Sequence, residues 1–251
     1  MNRIGRFQAG TKVFYGKVED GRVYPVTGDI FGGGRFSSRS YPESDLKVLP
    51  PVVPGKVLAV GLNYLDHIRE MRLERPREPL FWFKAPSSLL PHGGTIQIAH
   101  PSHRTDYEAE LAVVIGRPLL NATIEEAQEG IWGYTAAQDI SDRTIQKSES
   151  QWGRCKSFDT FTPLGPYVVT GLNAESLRLQ LYQNGKLMQD SSTGQMLFGP
   201  AELVRFISQN LTLLPGDVIL TGTPSGVGPI RPGDRLEVRI EGLEPLVNSV
   251  R

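Results

Sequence analysis

The stretch TDYEAELAVVIG, residues 105–116, places acidic side chains at the start of an otherwise apolar segment. Successive side chains of a β-strand point to opposite faces, so a strand here collects the acidic residues on one face. That face carries Asp106, Glu108, Glu110, Ala112 and Val114, and the other carries Tyr107, Leu111, Val113 and Ile115. Such a strand either begins in water or holds its carboxylates around a cation, because like charges held together are costly without a positive partner.

The balance of charge indicates a small-molecule partner. The 251 residues include 27 Lys plus Arg and 27 Asp plus Glu, so no overall positive field draws the chain to nucleic acid or to an anionic membrane. No apolar run approaches the length that spans a bilayer, and MNRIGRFQAG lacks the pattern of a signal peptide, so we expect a cytoplasmic protein. A single cysteine, Cys155, excludes an internal disulfide, and we expect it to be a small buried residue.

Short alternating runs and turn dipeptides predict a mainly β fold with short helices, of the α+β class. KVFYGKVE and RVYPV flank EDG, and LRLQLYQ and KLMQDS flank Asn184-Gly185, so each pair is expected to form a hairpin. Further strands are expected at KVLAVG, FWFKA, TIQIA, GYTAAQDIS, GPYVVT, DVILTG and DRLEVRIEG. Thr123 and Glu126 have capping-box spacing, and Pro200 stands near the first turn of another predicted helix.

The prolines of LPPVVPG favour an extended connector near residue 54. We therefore predict a small β domain over residues 1–54 and a larger domain over residues 55–251. Neither part contains an internal repeat or a low-complexity tract.

His67 and Glu70 in NYLDHIREM stand three residues apart and would share one face of a helical turn. There the carboxylate can orient the imidazole and raise its basicity, which gives a pair that moves a proton to or from water. The same letters also fit an ion pair on the surface of a short amphipathic helix. The spacing alone leaves both interpretations open.

Asp139 ends the uncharged strand GYTAAQDIS, where a carboxylate needs a partner, and it can complete a cation site with Glu108 and Glu110. Three carboxylates without cysteine favour Mg²⁺ or Mn²⁺, with Ca²⁺ next and Zn²⁺ disfavoured. Asp106, on the same strand face, is either a fourth ligand or a group that supports the ligands.

Two further stretches supply polar groups. DRTIQKSESQWGRCKSFDTF contains Arg143, Gln146 and Lys156, which either hold a substrate carboxylate and a developing oxyanion or are solvated loop residues. The glycines of DVILTGTPSGVGPIRPGD let the backbone approach a ligand, with Thr221 and Thr223 as hydroxyl donors.

Two histidines precede the acidic strand in AHPSHR, namely His100 and His103. Their position in a loop favours ordinary hydrogen bonding over metal binding.

The chain resembles the fumarylacetoacetate hydrolase family in six ordered blocks over nearly all of residues 55–251. The blocks are VGLNYLDHIREM, FWFKAPSSLL, DYEAELAVVIG, YTAAQDISDRTIQ, CKSFDTFTPLGP and LTGTPSGVGPIRPGD. The N-terminal GRFQAGTKVFYGKVEDGRVYPVTGD is similar to the small domain of a bacterial branch often described as 2-hydroxyhepta-2,4-diene-1,7-dioate isomerases. The resemblance implies a mixed β-roll with a small N-terminal β domain, and a homodimer.

The resemblance also implies roles for single residues. Glu108, Glu110 and Asp139 correspond to the family's metal ligands, normally for Mg²⁺ or Mn²⁺. His67 and Glu70 correspond to its acid/base dyad, on a segment that orders as a lid over the substrate in relatives.

Polar groups around the reacting centre of the family correspond to Lys156, Arg143, Gln146 and Thr223. The lysine lies near the reacting centre, the arginine and the glutamine face the substrate, and the threonine lines the pocket. This chain departs from the family pattern beside Arg143, because the family often has a small residue before the arginine and an acidic one after it. Here these positions hold Asp142 and Thr144.

The implied function is that of a divalent-metal-dependent enzyme acting on 2-oxo or 2-hydroxydienoic dicarboxylic acids through a metal-stabilised enolate. We expect the 2-hydroxyhepta-2,4-diene-1,7-dioate isomerase or 5-oxopent-3-ene-1,2,5-tricarboxylate decarboxylase type, in aromatic-acid catabolism. The alternatives are an acylpyruvate or fumarylpyruvate hydrolase and an oxaloacetate decarboxylase. A non-catalytic metal-dependent ligand-binding protein is disfavoured, because a binder needs no proton-transfer pair such as His67 and Glu70.

Overall fold

The computed structural model describes residues 1–71 and 74–251. In this part of the chain 22 strands alternate with four short α-helices and three 3-10 helices, so the predicted mainly β, α+β class is confirmed. The α-helices are α1 (Leu65–Met71), α2 (Ile124–Gly130), α3 (Arg143–Ser148) and α4 (Pro200–Ser208). The 3-10 helices are Glu43–Asp45, Pro86–Ser88 and Thr193–Gln195.

The strands have the following bounds. The first eleven are β1 (Asn2–Ala9), β2 (Lys12–Glu19), β3 (Arg22–Thr27), β4 (Arg35–Phe36), β5 (Tyr41–Pro42), β6 (Lys47–Leu49), β7 (Val57–Gly61), β8 (Leu80–Lys84), β9 (Leu89–Pro91), β10 (Thr95–Ile96) and β11 (Thr105–Tyr107). The others are β12 (Ala109–Ile115), β13 (Ile131–Gln138), β14 (Ser141–Asp142), β15 (Thr162–Leu164), β16 (Val168–Thr170), β17 (Arg178–Gln183), β18 (Lys186–Ser192), β19 (Val218–Leu220), β20 (Gly228–Pro229), β21 (Arg235–Ile240) and β22 (Leu246–Val250).

One large mixed sheet carries most of these strands, in the order β4-β3-β2-β1-β16-β13-β12-β19-β7-β8. Its pairs are mostly antiparallel, but β19 runs parallel to β7. A second sheet has the order β10-β22-β21-β17-β18, and a third, small sheet has the order β14-β11-β20. The acidic stretch therefore spans two sheets, because β11 belongs to the small sheet and β12 to the large one.

The strand β12 is buried on both faces, which explains its apolar composition. Leu111, Val113 and Ile115 pack into the main hydrophobic cluster, whereas Ala112 and Val114 pack into a second cluster on the opposite face. Removing a Val, Leu or Ile side chain from water stabilises the folded state by about 1.5–3 kcal/mol. The predicted alternation is thus confirmed, with apolar packing on both faces of the strand.

The turns follow the local sequence. Asp20-Gly21 joins β2 to β3, and Asn184-Gly185 joins β17 to β18, each with two residues at positive φ as a tight hairpin turn requires. The capping box of Thr123 is formed in α2. The stretch TIQIA forms a strand only over β10, which is shorter than predicted.

The N-terminal strands join the large sheet through a contact that the local sequence did not predict. The strand β1 pairs antiparallel with β16, which places Arg3 opposite Val169. LPPVVPG connects β6 to β7 without regular structure, as expected for its prolines. Over the described ranges, the helices are too short and too polar to traverse a bilayer.

Candidate active site

A cavity of about 380 Å³ opens where β7, α1, β12 and α3 come together. It brings together most of the residues singled out in the sequence. Its walls include seven of the nine predicted site residues, namely His67, Glu108, Glu110, Arg143, Gln146, Lys156 and Thr223. The other two lie immediately behind the wall, since Glu70 contacts His67 and Asp139 contacts Lys156.

Three carboxylates converge at this wall because two neighbouring strands end side by side. Glu108 lies at the break between β11 and β12, Glu110 lies on β12, and Asp139 follows β13, the antiparallel partner of β12. The Asp139 amide donates to the Glu108 carbonyl oxygen at 3.0 Å. One oxygen of each carboxylate lies within 4.8 Å of the other two. All three residues are at most 5% exposed, so the alternative of a strand that begins in water is excluded.

Two of these carboxylates share the ammonium group of Lys156. Its Nζ donates to Glu108 Oε2 and to Asp139 Oδ2, each at 2.7 Å. Burial lowers the affinity of this amine for a proton, but Asp139 and Glu108 outweigh it and raise the pKa of Lys156. For Glu108, burial alone would raise the pKa of the carboxyl group. The positive charges of Arg143 and Lys156 outweigh burial and hold this pKa at about 2. Both groups are therefore charged at neutral pH.

Glu110 has fewer partners than the other two. Its Oε2 accepts a hydrogen bond of 2.6 Å from the Gly222 amide. Burial, and next the negative charges of Asp139 and Glu108, raise its pKa well above the ordinary value. A buried carboxylate with excess negative charge around it is stabilised by a cation, and three carboxylate oxygens form the donor set that hard dications prefer. The residues present therefore fit a hard divalent cation.

Arg143, at the start of α3, points into the cavity despite the unusual residues on either side of it. Its Nη2 donates to Glu108 Oε1 at 2.5 Å, and its Nε donates to Asp106 Oδ2 at 3.0 Å. Asp142 accepts hydrogen bonds from two amides of α3 and so caps the helix that carries the arginine. Asp106 also accepts hydrogen bonds from Arg104 Nε and Nη2. Its two oxygens are therefore occupied by guanidinium groups, which favours the supporting role.

The imidazole of His67 is oriented by a hydrogen bond with Glu70. Its Nδ1 lies 3.2 Å from Glu70 Oε2, and both carboxylate oxygens of Glu70 accept from the Gly226 amide at 3.1 and 3.2 Å. His67 is only 8% exposed, so a simple surface ion pair does not describe it. With Nδ1 engaged by the carboxylate, Nε2 is the nitrogen free to exchange a proton with a ligand.

The remaining predicted residues are fixed by hydrogen bonds to neighbouring side chains. Gln146 Oε1 accepts from Arg143 Nη1 at 2.7 Å. Thr223 Oγ1 accepts from Gln189 Nε2 at 2.9 Å, and the same glutamine accepts from the Ala109 amide next to the acidic strand. These bonds hold the threonine and β12 in one arrangement.

Sequence reasoning missed several residues of the site. Lys84, at the end of β8, is fully buried and forms an ion pair with Asp139. Its signal was a lone charge in the apolar run LFWFK, which requires a buried acidic partner. Trp82 and Trp152 line the cavity with their rings 5.2 Å apart, and nothing in the local sequence connects them.

Two family models match the chain. The model described as "Fumarylacetoacetate (FAA) hydrolase C-terminal" matches residues 56–251, and the model described as "Rv2993c-like, N-terminal" matches residues 2–51. A protein of Archaeoglobus fulgidus is 41% identical over 246 residues, which cover 98% of this chain and 95% of its own. A mitochondrial oxaloacetate tautomerase of Bos taurus is 40% identical over 222 residues, which cover 83% of this chain and 71% of its own.

Solved structures show the same fold. The 2-hydroxyhepta-2,4-diene-1,7-dioate isomerase from Mycobacterium marinum is 36% identical with a TM-score of 0.92, covering 100% of this chain and 98% of that chain. The 5-carboxymethyl-2-hydroxymuconate delta-isomerase from Mycobacterium smegmatis is 38% identical with a TM-score of 0.93, covering 99% of this chain and 98% of that chain. The expected β-roll fold is confirmed by these matches. The chain belongs to the fumarylacetoacetate hydrolase family of enzymes.

Proposed function

We propose that the protein is a Mg²⁺- or Mn²⁺-dependent enzyme that acts on 2-oxo or 2-hydroxydienoic dicarboxylic acids. Within this class we favour the 2-hydroxyhepta-2,4-diene-1,7-dioate isomerase or 5-oxopent-3-ene-1,2,5-tricarboxylate decarboxylase type, working as a homodimer. The observation that carries the proposal is the convergence of Glu108, Glu110 and Asp139 beside a cavity that also contains His67 and Lys156.

The bound ion would be held by the three carboxylates and would supply Lewis-acid stabilisation of negative charge on the 2-oxo group. His67 transfers the proton through Nε2, because Glu70 occupies Nδ1 and fixes the orientation of the ring. Glu70 is itself held by the Gly226 amide, so the proton-transfer pair is anchored to the loop that follows β19. Lys156 stays charged and counters the negative charge that develops on the substrate.

The cavity also suits a substrate with two carboxylates. Arg104, Arg143 and Lys147 contribute to its wall, with Arg104 immediately before β11 and the other two on α3. The two guanidinium groups are already paired with Asp106 and Glu108, whereas Lys147 is exposed and forms no ion pair within the described ranges. Its ammonium group can therefore attract the carboxylate at the end of the substrate that does not react. A monocarboxylic substrate would leave Lys147 without that partner.

The match over the full length favours the isomerase type. The two mycobacterial isomerases align over nearly all of both chains, including the N-terminal strands. The bovine oxaloacetate tautomerase favours a second candidate, the interconversion of keto and enol forms of oxaloacetate, because its 40% identity is as high. Both reactions move a proton at a carbon next to a 2-oxo group, which is the task that the pair of His67 and Glu70 can perform.

The experiment is product analysis with a panel of acids in the presence of Mg²⁺. A 2-hydroxydienoate is followed by its absorbance, oxaloacetate by enol–keto conversion and carbon dioxide release, and acylpyruvates by stoichiometric pyruvate. Proton exchange at C3 of each acid in D₂O is followed by NMR, with and without a chelator. We expect isomerised product and metal-dependent exchange. Stoichiometric pyruvate with a second acid would instead identify a hydrolase, and metal binding without exchange or turnover would identify a ligand-binding protein.

A further inference from the structure

A second group of metal-binding side chains lies outside the cavity, where the turn before β11 meets the start of α3. The His103 amide donates to the His100 carbonyl oxygen at 2.9 Å, which closes a four-residue turn with Pro101 in its second position. This turn brings the two imidazoles side by side, with ring centroids 4.7 Å apart. The ring of Phe158 packs against that of His100 in a T-shaped arrangement, with centroids 5.3 Å apart.

The third member of the group is Asp142, whose side chain has no solvent exposure. Its Oδ1 accepts from the amides of Thr144 and Ile145 at 3.0 and 3.1 Å, and its Oδ2 lies 2.7 Å from His103 Nδ1. The helix amides orient this carboxylate so that its second oxygen faces the histidine pair. Asp142 is also one of the two positions at which the chain departs from the pattern that the family resemblance implies.

The nearby arginines do not neutralise Asp142, because both are engaged elsewhere. Arg104 binds Asp106, and Arg143 binds Asp106 and Glu108. Within residues 1–71 and 74–251, His103 is the one basic side chain that forms an ion pair with Asp142. A buried carboxylate that faces two imidazoles, and that no lysine or arginine of the described ranges pairs with, is an environment that attracts a cation with affinity for nitrogen.

We propose that His100, His103 and Asp142 bind a transition-metal dication of the zinc class, at a site separate from the three carboxylates of the cavity. One candidate ligand atom from each residue lies within 4.8 Å of the other two. Zinc bonds of about 2.0–2.2 Å place the ligands of a tetrahedral site about 3.4 Å apart, so small side-chain rotations close the site. A water molecule supplies the fourth ligand.

Metal binding at this site displaces the proton that lies between His103 Nδ1 and Asp142 Oδ2, which are 2.7 Å apart. The neutral imidazole can carry that proton on Nε2 instead, so that Nδ1 is free to bind the metal beside the ionised carboxylate. Because two nitrogen ligands disfavour Mg²⁺ and favour Zn²⁺ or Co²⁺, the two sites take different metals from a mixture.

The test uses the full-length protein, freed of metal by a chelator and then saturated with Mg²⁺ so that the carboxylate site is filled. Zn²⁺ affinity is measured by competition with a chromophoric chelator, and Co²⁺ is added separately to record the visible spectrum. The test variants are His100→Ala and His103→Ala, whose side chains are partly exposed. The controls are His92→Ala, which removes a histidine that bonds to the Val247 amide elsewhere, and Glu108→Ala, which disrupts the carboxylate site.

We expect one high-affinity Zn²⁺ equivalent in the wild-type protein and in both controls, with an intense Co²⁺ band typical of tetrahedral geometry. Affinity should fall by about 100-fold or more in each test variant, because each loses one of three protein ligands. Thermal unfolding and circular dichroism verify that all variants are folded. The proposal is overturned if the wild type binds no Zn²⁺ in excess Mg²⁺, if both test variants bind it as tightly as the wild type, or if only Glu108→Ala loses it.

Discussion

Lys156 Nζ lies 2.7 Å from Asp139 Oδ2, and the same nitrogen lies 2.7 Å from Glu108 Oε2 and from Ser141 Oγ. The three acceptors come from the ends of neighbouring strands, so one ammonium group joins them in the absence of solvent. Asp139 also forms an ion pair with Lys84, and Glu108 forms one with Arg143. Positive side chains therefore form ion pairs with Glu108 and Asp139, two of the three proposed metal ligands. The third, Glu110, accepts a hydrogen bond from the Gly222 amide.

Replacing the lysine by an apolar side chain of similar length, Lys156→Met, should reduce kcat by about 100- to 1,000-fold, because a buried positive charge near the developing oxyanion is lost. It should also destabilise the protein by up to about 3–5 kcal/mol, since two buried carboxylates lose a shared cation. Steady-state kinetics and chemical unfolding measure the two effects, and added Mg²⁺ should recover part of the lost stability.

Lys186→Met is the matched control for this change, because Lys186 lies exposed at the start of β18. It should leave both kcat and the free energy of unfolding close to the wild-type values. A Lys156→Met protein with normal kcat would show that the ammonium group balances charge in the folded state and takes no part in the chemistry.

The local sequence correctly predicted those features that depend on neighbouring residues in the chain. Asn184-Gly185 formed its hairpin because glycine and asparagine tolerate positive φ, and the carboxylates Glu108 and Glu110 shared a face because strand side chains alternate. The convergence of Asp139 with this pair was predicted from a carboxylate at the end of an uncharged strand, and the family resemblance implied it as well. The structure places it there through the antiparallel pairing of β12 with β13.

Contacts between segments far apart in the chain could not be predicted from the local sequence. Lys84 and Asp139 are 55 residues apart, and β1 pairs with β16 across a separation of more than 160 residues. Alternation identifies a strand and its faces, but it does not specify the neighbouring strand. The ion pair of Lys84 with Asp139 therefore became evident only from the order of the strands in the sheet. The strand β12, in contrast, could be predicted from its own composition.

Glu108→Ala should abolish activity and weaken the affinity for Mg²⁺ and Mn²⁺ by more than about 10-fold, because it removes one of three carboxylate ligands. The apolar side chains of β12 should keep the strand folded. Isothermal titration calorimetry measures the metal affinity, and circular dichroism verifies the fold. Glu129→Ala, which changes an exposed glutamate on α2, should behave as wild type. Normal turnover of chelator-treated wild-type protein would contradict the assignment of the metal site.

His67→Ala should leave metal affinity unchanged and lower kcat by about 100-fold or more, because the proton-transfer group is lost. Glu70→Gln should have a smaller effect, roughly 10-fold, since an amide still contacts Nδ1 but no longer raises the basicity of the ring. Steady-state kinetics with the same substrates measures kcat for both variants, and isothermal titration calorimetry measures their metal affinity. Unchanged rates in His67→Ala would place the base on another side chain of the cavity.

Cys155 should be unreactive in the folded protein, although it stands next to Lys156 in the chain. The residue is fully buried, its Sγ donates to the Trp152 carbonyl oxygen at 3.1 Å, and burial raises the pKa of the thiol to about 11. At pH 8 only about one thiol in 1,000 is ionised, and the thiolate is the form that attacks disulfide reagents. We expect labelling by a chromogenic disulfide at least about 100-fold slower than that of glutathione.

The labelling rate of Cys155 should rise about tenfold per pH unit between pH 8 and pH 10, because the thiolate fraction grows as the pH approaches the raised pKa from below. Unfolding in guanidinium chloride should remove this protection and give one labelled thiol per chain, as the single cysteine requires. Cys155→Ser serves as the blank and should give no labelling in either state. Rapid labelling of the native protein at pH 7 would instead identify an accessible thiolate, and Cys155 would then have to be considered as a nucleophile at the edge of the cavity.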